Sequence, residues 1–144
     1  VNNATIKKNT VFNTRDDGIE TVDLVGADIV KNTVYGTGDD GIVSAGGSDI
    51  RIARNIVRNL RDDGILVTNA SDVRIKNNEV YSLGGDGIQT DGVSESKIRD
   101  NEVYFVGGNG ILSRNGSDVT VSENLVRELG KDGIAFVNMS DSFI

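Results

Sequence analysis

The chain is 144 residues long, carries a net charge of −7 and contains no Pro, Cys, His or Trp. That length fits one domain spanning residues 1–144, and the acidic balance argues against a nucleic-acid partner. No apolar run approaches the length that crosses a membrane, and no signal peptide is visible.

Taken along the chain, the first copy of a pattern predicts a strand around Ile6, a corner at Asn9 and a second strand around Val11. An Asp-rich turn at Arg15-Asp16-Asp17-Gly18 follows, and then a third strand from Ile19. The second copy repeats this 23 residues later with Ile29, Asn32, Val34, Gly38-Asp39-Asp40-Gly41 and Ile42. The third reads Ile52, Asn55, Val57, Asp62-Asp63-Gly64 and Ile65. In the fourth, Val73-Arg74-Ile75-Lys76 alternates apolar and polar, which is strand periodicity with Val73 and Ile75 inward. Glu79-Val80-Tyr81 is its second strand, Leu83-Gly84-Gly85-Asp86-Gly87 a glycine-rich turn, and Ile88-Gln89-Thr90-Asp91 its third strand. The fifth copy carries Ile98, Asn101, Val103, Asn109-Gly110 and Ile111, and the sixth Val121, Asn124, Val126, Asp132-Gly133 and Ile134.

A fixed period of this length is the signature of a solenoid, whose coils each lack enough surface to bury an apolar face alone. The 18 Val and 14 Ile against 7 Leu favour strands over helices. Three strands per coil, stacked about 4.8 Å apart, give three parallel sheets around a narrow core, and six coils rise on the order of 29 Å. The asparagine column suits a sharp bend because Asn tolerates left-handed φ, and its amide can bond to the Asn of the next coil. The glycine column reads as Asp-Gly turn chemistry. A leucine-rich repeat would need a return leg of helix or leucine, and the return leg here is glycine-rich. The fold class expected is all-β, a right-handed parallel β-helix.

The pattern Ile-x-x-Asn-x-Val, turn, Asp-Gly-Ile, turn resembles the parallel β-helix repeat of the pectin-lyase-like superfamily over all 144 residues. The resemblance implies a carbohydrate-related history and an extracellular location. It does not choose among polysaccharide hydrolases, lyases, epimerases and non-enzymatic modules. Within that superfamily, Gly38-Asp39-Asp40-Gly41 is similar to the paired-Asp motif of polygalacturonases, and Arg74-Ile75-Lys76 to their substrate-binding element. Carried over, Asp17, Asp39 and Asp40 would be the acid and base carboxylates, with Arg74 and Lys76 gripping a uronate. The chain departs from the pattern in having no histidine, and it cannot contain the Asp-Pro-His-Asp motif of alginate epimerases.

Four constellations remain. The acidic column Asp16, Asp17, Asp39, Asp40, Asp62, Asp63, Asp86 and Asp132 either braces its turns or holds calcium, a cation of oxygen ligands, at Asp39, Asp40, Asp62 and Asp63. The basic face of the first strands, Lys7, Arg51, Arg74, Lys76, Lys97 and Arg99, is either an ordinary solvated face or a surface for acidic polysaccharide. The aromatic column Phe12, Tyr35, Tyr81 and Tyr104, interleaved with Arg58 and Arg127, is either a sugar platform or a stack that braces the second sheet. The outward residues of the third strands, Val22, Val43, Leu66, Leu112, Ala135 and Val137, are apolar for a solvated face and predict self-association there or through the coil ends. Every turn is short and equal, so no deep cleft is expected. The function expected is a non-catalytic structural or binding scaffold, with a carbohydrate-active module or a fibre segment as the alternatives.

Overall fold

The computed structural model describes residues 2–144. The first coil contains β1 (Thr5–Lys7), β2 (Thr10–Phe12) and β3 (Ile19–Val22), and the second β4 (Val25–Val30), β5 (Thr33–Tyr35) and β6 (Ile42–Ala45). The third contains β7 (Ser48–Ala53), β8 (Ile56–Leu60) and β9 (Ile65–Thr68), and the fourth β10 (Ser71–Lys76), β11 (Glu79–Leu83) and β12 (Ile88–Asp91). The fifth contains β13 (Ser94–Arg99), β14 (Glu102–Val106) and β15 (Ile111–Arg114), and the sixth β16 (Ser117–Ser122), β17 (Leu125–Leu129) and β18 (Ile134–Val137). Each strand pairs in parallel with its counterpart one coil away, so three six-stranded sheets enclose the axis. The register is a uniform step of 23 residues, as in Ile6 with Ile29, Val80 with Val103 and Ile88 with Ile111.

Like side chains therefore lie above like. Ile29, Ile52, Ile75 and Ile98 from the first sheet, Val34, Val57, Val80 and Val103 from the second, and Ile42, Ile65, Ile88 and Ile111 from the third are all fully buried. Packing of β-branched side chains across parallel strands is the unit of sheet stabilisation, and here it repeats at every level. Thr21 and Thr90 also point inward. Thr21 Oγ1 donates to Ser44 Oγ at 3.0 Å, and the Thr90 and Ser113 hydroxyls lie 2.7 Å apart, so these buried hydroxyls satisfy one another.

Three local expectations change. The left-handed residue at the first corner precedes the asparagine: Lys8, Lys31, Arg54, Asn77, Asp100 and Glu123 have φ of 55° to 58°. The asparagines are held instead by their amides, as the ladder reading expects. The glycines of the Asp-Gly-Ile column lie outside the left-handed region. They are required by close approach, because a Cβ on Gly87 would overlap Val103 Cγ1 and sit 2.6 Å from the Gly110 carbonyl oxygen. Leu83, expected in a turn, belongs to β11. The strand kinks at Ser82, whose φ is 59°, and pairing resumes with Leu83 opposite Leu60 and Val106. Leu60, Leu83 and Val106 thereby add a further buried column to the core.

Candidate functional site

The acidic column lies at the corner between the second and third sheets. Its inner members form a ladder. Asp17 Oδ1 accepts the backbone N–H of Asp40 at 3.1 Å, Asp40 Oδ1 that of Asp63 at 2.8 Å, and Asp63 Oδ1 that of Asp86 at 2.7 Å. Asp86 Oδ1 then accepts both the backbone and side-chain N–H of Asn109. Each carboxylate thus holds the next coil rather than its own turn, which amends the bracing expected from the sequence. Asp40, Asp63 and Asp86 are buried, whereas Asp16, Asp39 and Asp62 beside them are exposed.

Burial disfavours the charged form, and stacked carboxylates repel, so Asp17, Asp40 and Asp63 titrate high. Asp40 is pushed up to about 7 and Asp63 to about 6, with burial the main cause, an accepted amide hydrogen bond opposing it and neighbouring carboxylates adding to it. Asp17 is raised for the same reasons. Carboxylate oxygens of Asp39, Asp40 and Asp62 lie within 4.8 Å of one another, as do those of Asp16, Asp17 and Asp39. Asp63, the fourth expected calcium ligand, stands apart from both groups, engaged in the ladder. Where the outer aspartates give way to Gly85 and Gly108, the wall opens into a notch of about 490 Å³ whose lining includes Asp62, Asp86, Gln89, Leu112, Arg114 and Lys131.

Arg74 and Lys76 stand elsewhere, on the outer face of the first sheet. They oppose Lys97 and Arg99 in register and line with them a depression of about 530 Å³, completed by Thr120 and Ser122. The lining of neither depression includes a residue of the other. The carboxylates Asp17, Asp39 and Asp40 lie in the turns between strands of the second and third sheets, and the cations Arg74 and Lys76 on a strand of the first, so the two sets stand on different parts of the coil. Arg74 is also engaged by Asp49 at 3.0 Å and Asp72 at 2.8 Å.

On the second sheet Phe12 stacks on Tyr35 at 5.3 Å between ring centroids, and Tyr81 on Tyr104 at 4.8 Å with planes 3° apart. Arg58 covers Tyr35 at 4.5 Å and Arg127 covers Tyr104 at 4.2 Å. Both faces of Tyr35 and of Tyr104 are thus occupied by neighbours, leaving their edges for any ligand. The Tyr104 hydroxyl donates to Glu79 Oε1 at 2.7 Å, which pushes it up to about 12. This bond reaches back to the preceding coil, and the 23-residue alignment of Glu79 with Glu102 in the sequence does not reveal it. On the third sheet Val43 is buried and Leu66 and Leu112 are half-buried, while Val22 and Val137 are exposed. Gln89, Asp91 and Arg114 interrupt this face, so the apolar strip is broken.

A search of curated protein sequences finds no match. Among solved structures, the periplasmic alginate epimerase AlgG superposes with a TM-score of 0.87 at 20% identity, over 100% of this chain and 46% of that one. A double mutant of the same enzyme gives 0.88 with the same identity and coverage. The A-module of the Azotobacter vinelandii mannuronan C-5 epimerase AlgE4 gives 0.65 at 17% identity, over 99% of this chain and 54% of that one. The chain spans about half the length of these structures, and at such identities the likeness is one of fold. The sequence matches the family described as the right handed beta helix region over residues 1–144. The resemblance read from the Asn and Asp-Gly-Ile columns holds, and the chain belongs to the right-handed β-helix family.

Proposed function

We propose that this chain is a non-catalytic β-solenoid scaffold, a rigid stem that holds a shape. One observation carries this reading: the inner carboxylates of the acidic column are engaged by the fold itself. Asp17, Asp40, Asp63 and Asp86 each accept an amide from the next coil. Among the described residues no fully buried side-chain nitrogen or oxygen lacks a partner, so no such polar atom awaits a substrate. The test is incubation with polygalacturonate and with alginate, with and without calcium, following reducing ends, unsaturated products and the ratio of epimers. No product is expected. Product formed by the wild-type chain and absent with Asp40→Asn would overturn the reading.

A carbohydrate-active module is the second reading. It is favoured by Asp40, whose pKa of about 7 suits a group exchanging protons near neutrality. The similar structures are named for alginate and mannuronan epimerases, which makes acidic polysaccharide the material to try. Here Asp17, Asp39 and Asp40 would supply acid and base. Calcium would be ligated by Asp39, Asp40 and Asp62, whose carboxylate oxygens converge. Titration calorimetry with calcium that gives no heat, together with an unchanged melting temperature, would remove the cation from this reading.

A further inference from the structure

We propose that two copies of this chain pair side by side and antiparallel along the corner between the first and second sheets. The corner is formed by the left-handed residues Lys8, Lys31, Arg54, Asn77, Asp100 and Glu123, all exposed. They stack coil on coil: the backbone N–H of Lys8 donates to the Val30 carbonyl, that of Lys31 to Ala53, that of Arg54 to Lys76 and that of Asn77 to Arg99. Charge is sorted along this column, with cations in the first three coils, an amide in the fourth and anions in the fifth and sixth. The flanking outward columns follow. In the first three coils the corner and its flanks hold Lys7, Lys8, Lys31 and Arg54 and no carboxylate. In the last three they hold Glu79, Asp100, Glu102 and Glu123 against Lys76 and Arg99, and Arg99 is answered by Asp100 at 3.6 Å. A left-handed backbone favours Asn or Asp, so the corner itself does not call for Lys or Arg. Like charges on neighbouring strands repel. Among the described residues Lys8, Lys31 and Arg54 have no carboxylate within 4.0 Å to offset this.

An antiparallel second copy supplies the missing partners. With the two-fold axis between the third and fourth coils, Lys8 faces Glu123 of the second copy, Lys31 faces Asp100, and Arg54 faces Asn77. The flanks accept the same register. On the first-sheet side Lys7 faces Ser122, Val30 faces Arg99 and Ala53 faces Lys76. On the second-sheet side Thr10 faces Leu125, Thr33 faces Glu102 and Ile56 faces Glu79. None of these facing pairs sets like charges together. Centring the axis on Asn77 instead would set Lys76 on Lys76 and Glu79 on Glu79, and parallel pairing in register would set every charge on its own copy. Lys31 and Arg54 also border, with Lys7 and Arg51, a depression of about 140 Å³ beside the place that Asp100 of the second copy would take. A two-fold makes each contact twice. Ile56 and Leu125, exposed beside the corner, add apolar area. A polyanion would be attracted by the first three coils and repelled by the carboxylates of the last three, whereas a second copy satisfies both halves. The strip is one corner wide, so its contact area falls below the roughly 1,200 Å² of stable complexes and the dimer is weak, its register set by charge.

The corner lies on the opposite edge of the second sheet from the acidic row, so pairing stands whether or not that row is catalytic. The experiment is sedimentation equilibrium of the whole chain at rising concentration in about 0.1 M salt, where charges within about 10 Å still interact. A monomer–dimer equilibrium is expected, weakened in about 1 M salt. Lys8→Glu with Lys31→Glu makes both halves of the corner acidic, and Asp100→Lys with Glu123→Lys makes both basic. Each variant alone should dimerise at least about tenfold more weakly. Mixed one to one, the two should dimerise again, because opposite signs then face each other in both halves. The substitutions fit the fold, since the same left-handed corner already carries both Lys and Glu, and unchanged dichroism spectra check this. A wild type that stays monomeric at about 1 mM, either variant dimerising as the wild type does, or no recovery on mixing folded variants would each overturn the proposal. Species that keep growing with concentration would also overturn it, because a staggered head-to-tail contact does not close. Turnover of polygalacturonate or alginate would sink the scaffold reading and leave this pairing standing.

Discussion

The two polar columns of this solenoid differ by one atom type, and their behaviour follows from it. An asparagine amide both donates and accepts. Asn55 Oδ1 accepts from the backbone N–H and the Nδ2–H of Asn32, while its own Nδ2 donates to Asn78 Oδ1 and to the Ile29 carbonyl. The chain of bonds closes on itself, and burial carries no unpaired group. Asn78→Ala removes the acceptor for two donors of Asn55 and leaves a buried backbone N–H without a partner. We predict a loss of about 3 kcal/mol in urea unfolding, and a change under about 0.5 kcal/mol, the range of an ordinary surface substitution, would contradict the ladder's role. A carboxylate can only accept, so the Asp column pays for its burial in charge. The folded pKa of Asp40, about 7, lies above its ordinary value of 3.8. The stability it contributes is therefore full below about pH 4 and is lost as pH rises through 7. Thermal melts should give a higher Tm at pH 5 than at pH 8, and Asp40→Asn should flatten that difference. Asn109 already occupies the equivalent slot, and its Oδ1 accepts the backbone N–H of Asp132 at 3.3 Å, so the substitution fits. A pH profile unchanged in Asp40→Asn would place the titration elsewhere. The spacing of both columns was legible in the sequence. The left-handed residues were not, because Lys8, Arg54, Phe105 and Glu128 share no composition that marks such a backbone.

At the level of the element, period-2 alternation placed the three strands of each coil, and the register then followed from the 23-residue step. What the alternation could not show is that β11 continues past a left-handed Ser82 to bring Leu83 inward. A kink of that kind breaks the alternation by one residue, as a bulge does, and the last apolar residue then reads as part of the turn. The glycine column illustrates the same limit, since a residue chosen for what it lacks gives no pattern of its own. Its physical reason is distance between coils. On Gly87 an added Cβ would meet the Val103 side chain and the Gly110 backbone, and backbone cannot yield cheaply. On Gly133 the same Cβ would meet nothing within 4 Å. Gly87→Ala should therefore destabilise by about 2–3 kcal/mol, the range of an overpacked core. Gly133→Ala should be neutral or slightly stabilising, because it restricts only the unfolded chain. Equal effects of the two substitutions in denaturant melts would mean that turn conformation, not coil packing, selects glycine.

For the whole molecule, the candidate sites were only half legible. Each charged column could be traced by counting in steps of 23, but its position around the cross-section depends on how three sheets close. Arg74 and Lys76 sit one strand upstream of the Asp86 turn in sequence, yet they occupy a different face from the carboxylate row. Charge differs around the cross-section accordingly: the corner between the second and third sheets is rich in aspartate, whereas the first sheet carries cations interleaved with carboxylates, as in Arg51 with Asp28 and Arg74 with Asp49 and Asp72. Along its length the molecule is a stack in which a coil touches only its neighbours, so stability is a sum of coil terms and interface terms. Interior coils have two such interfaces. Ile52, Ile75, Val80, Ile88 and Val103 are fully buried, whereas Ile6 and Val11 in the first coil and Val126 and Ile134 in the sixth are half-buried. Opening should therefore begin at the two ends and move inward rather than occur all at once. Native-state hydrogen exchange on this chain is expected to show the slowest amides in β8, β10 and β12, faster exchange in β2 and β18, and a graded series between. Uniform protection across all six coils would mean that the stack unfolds as one cooperative unit, and that nearest-neighbour packing is not what sets its stability.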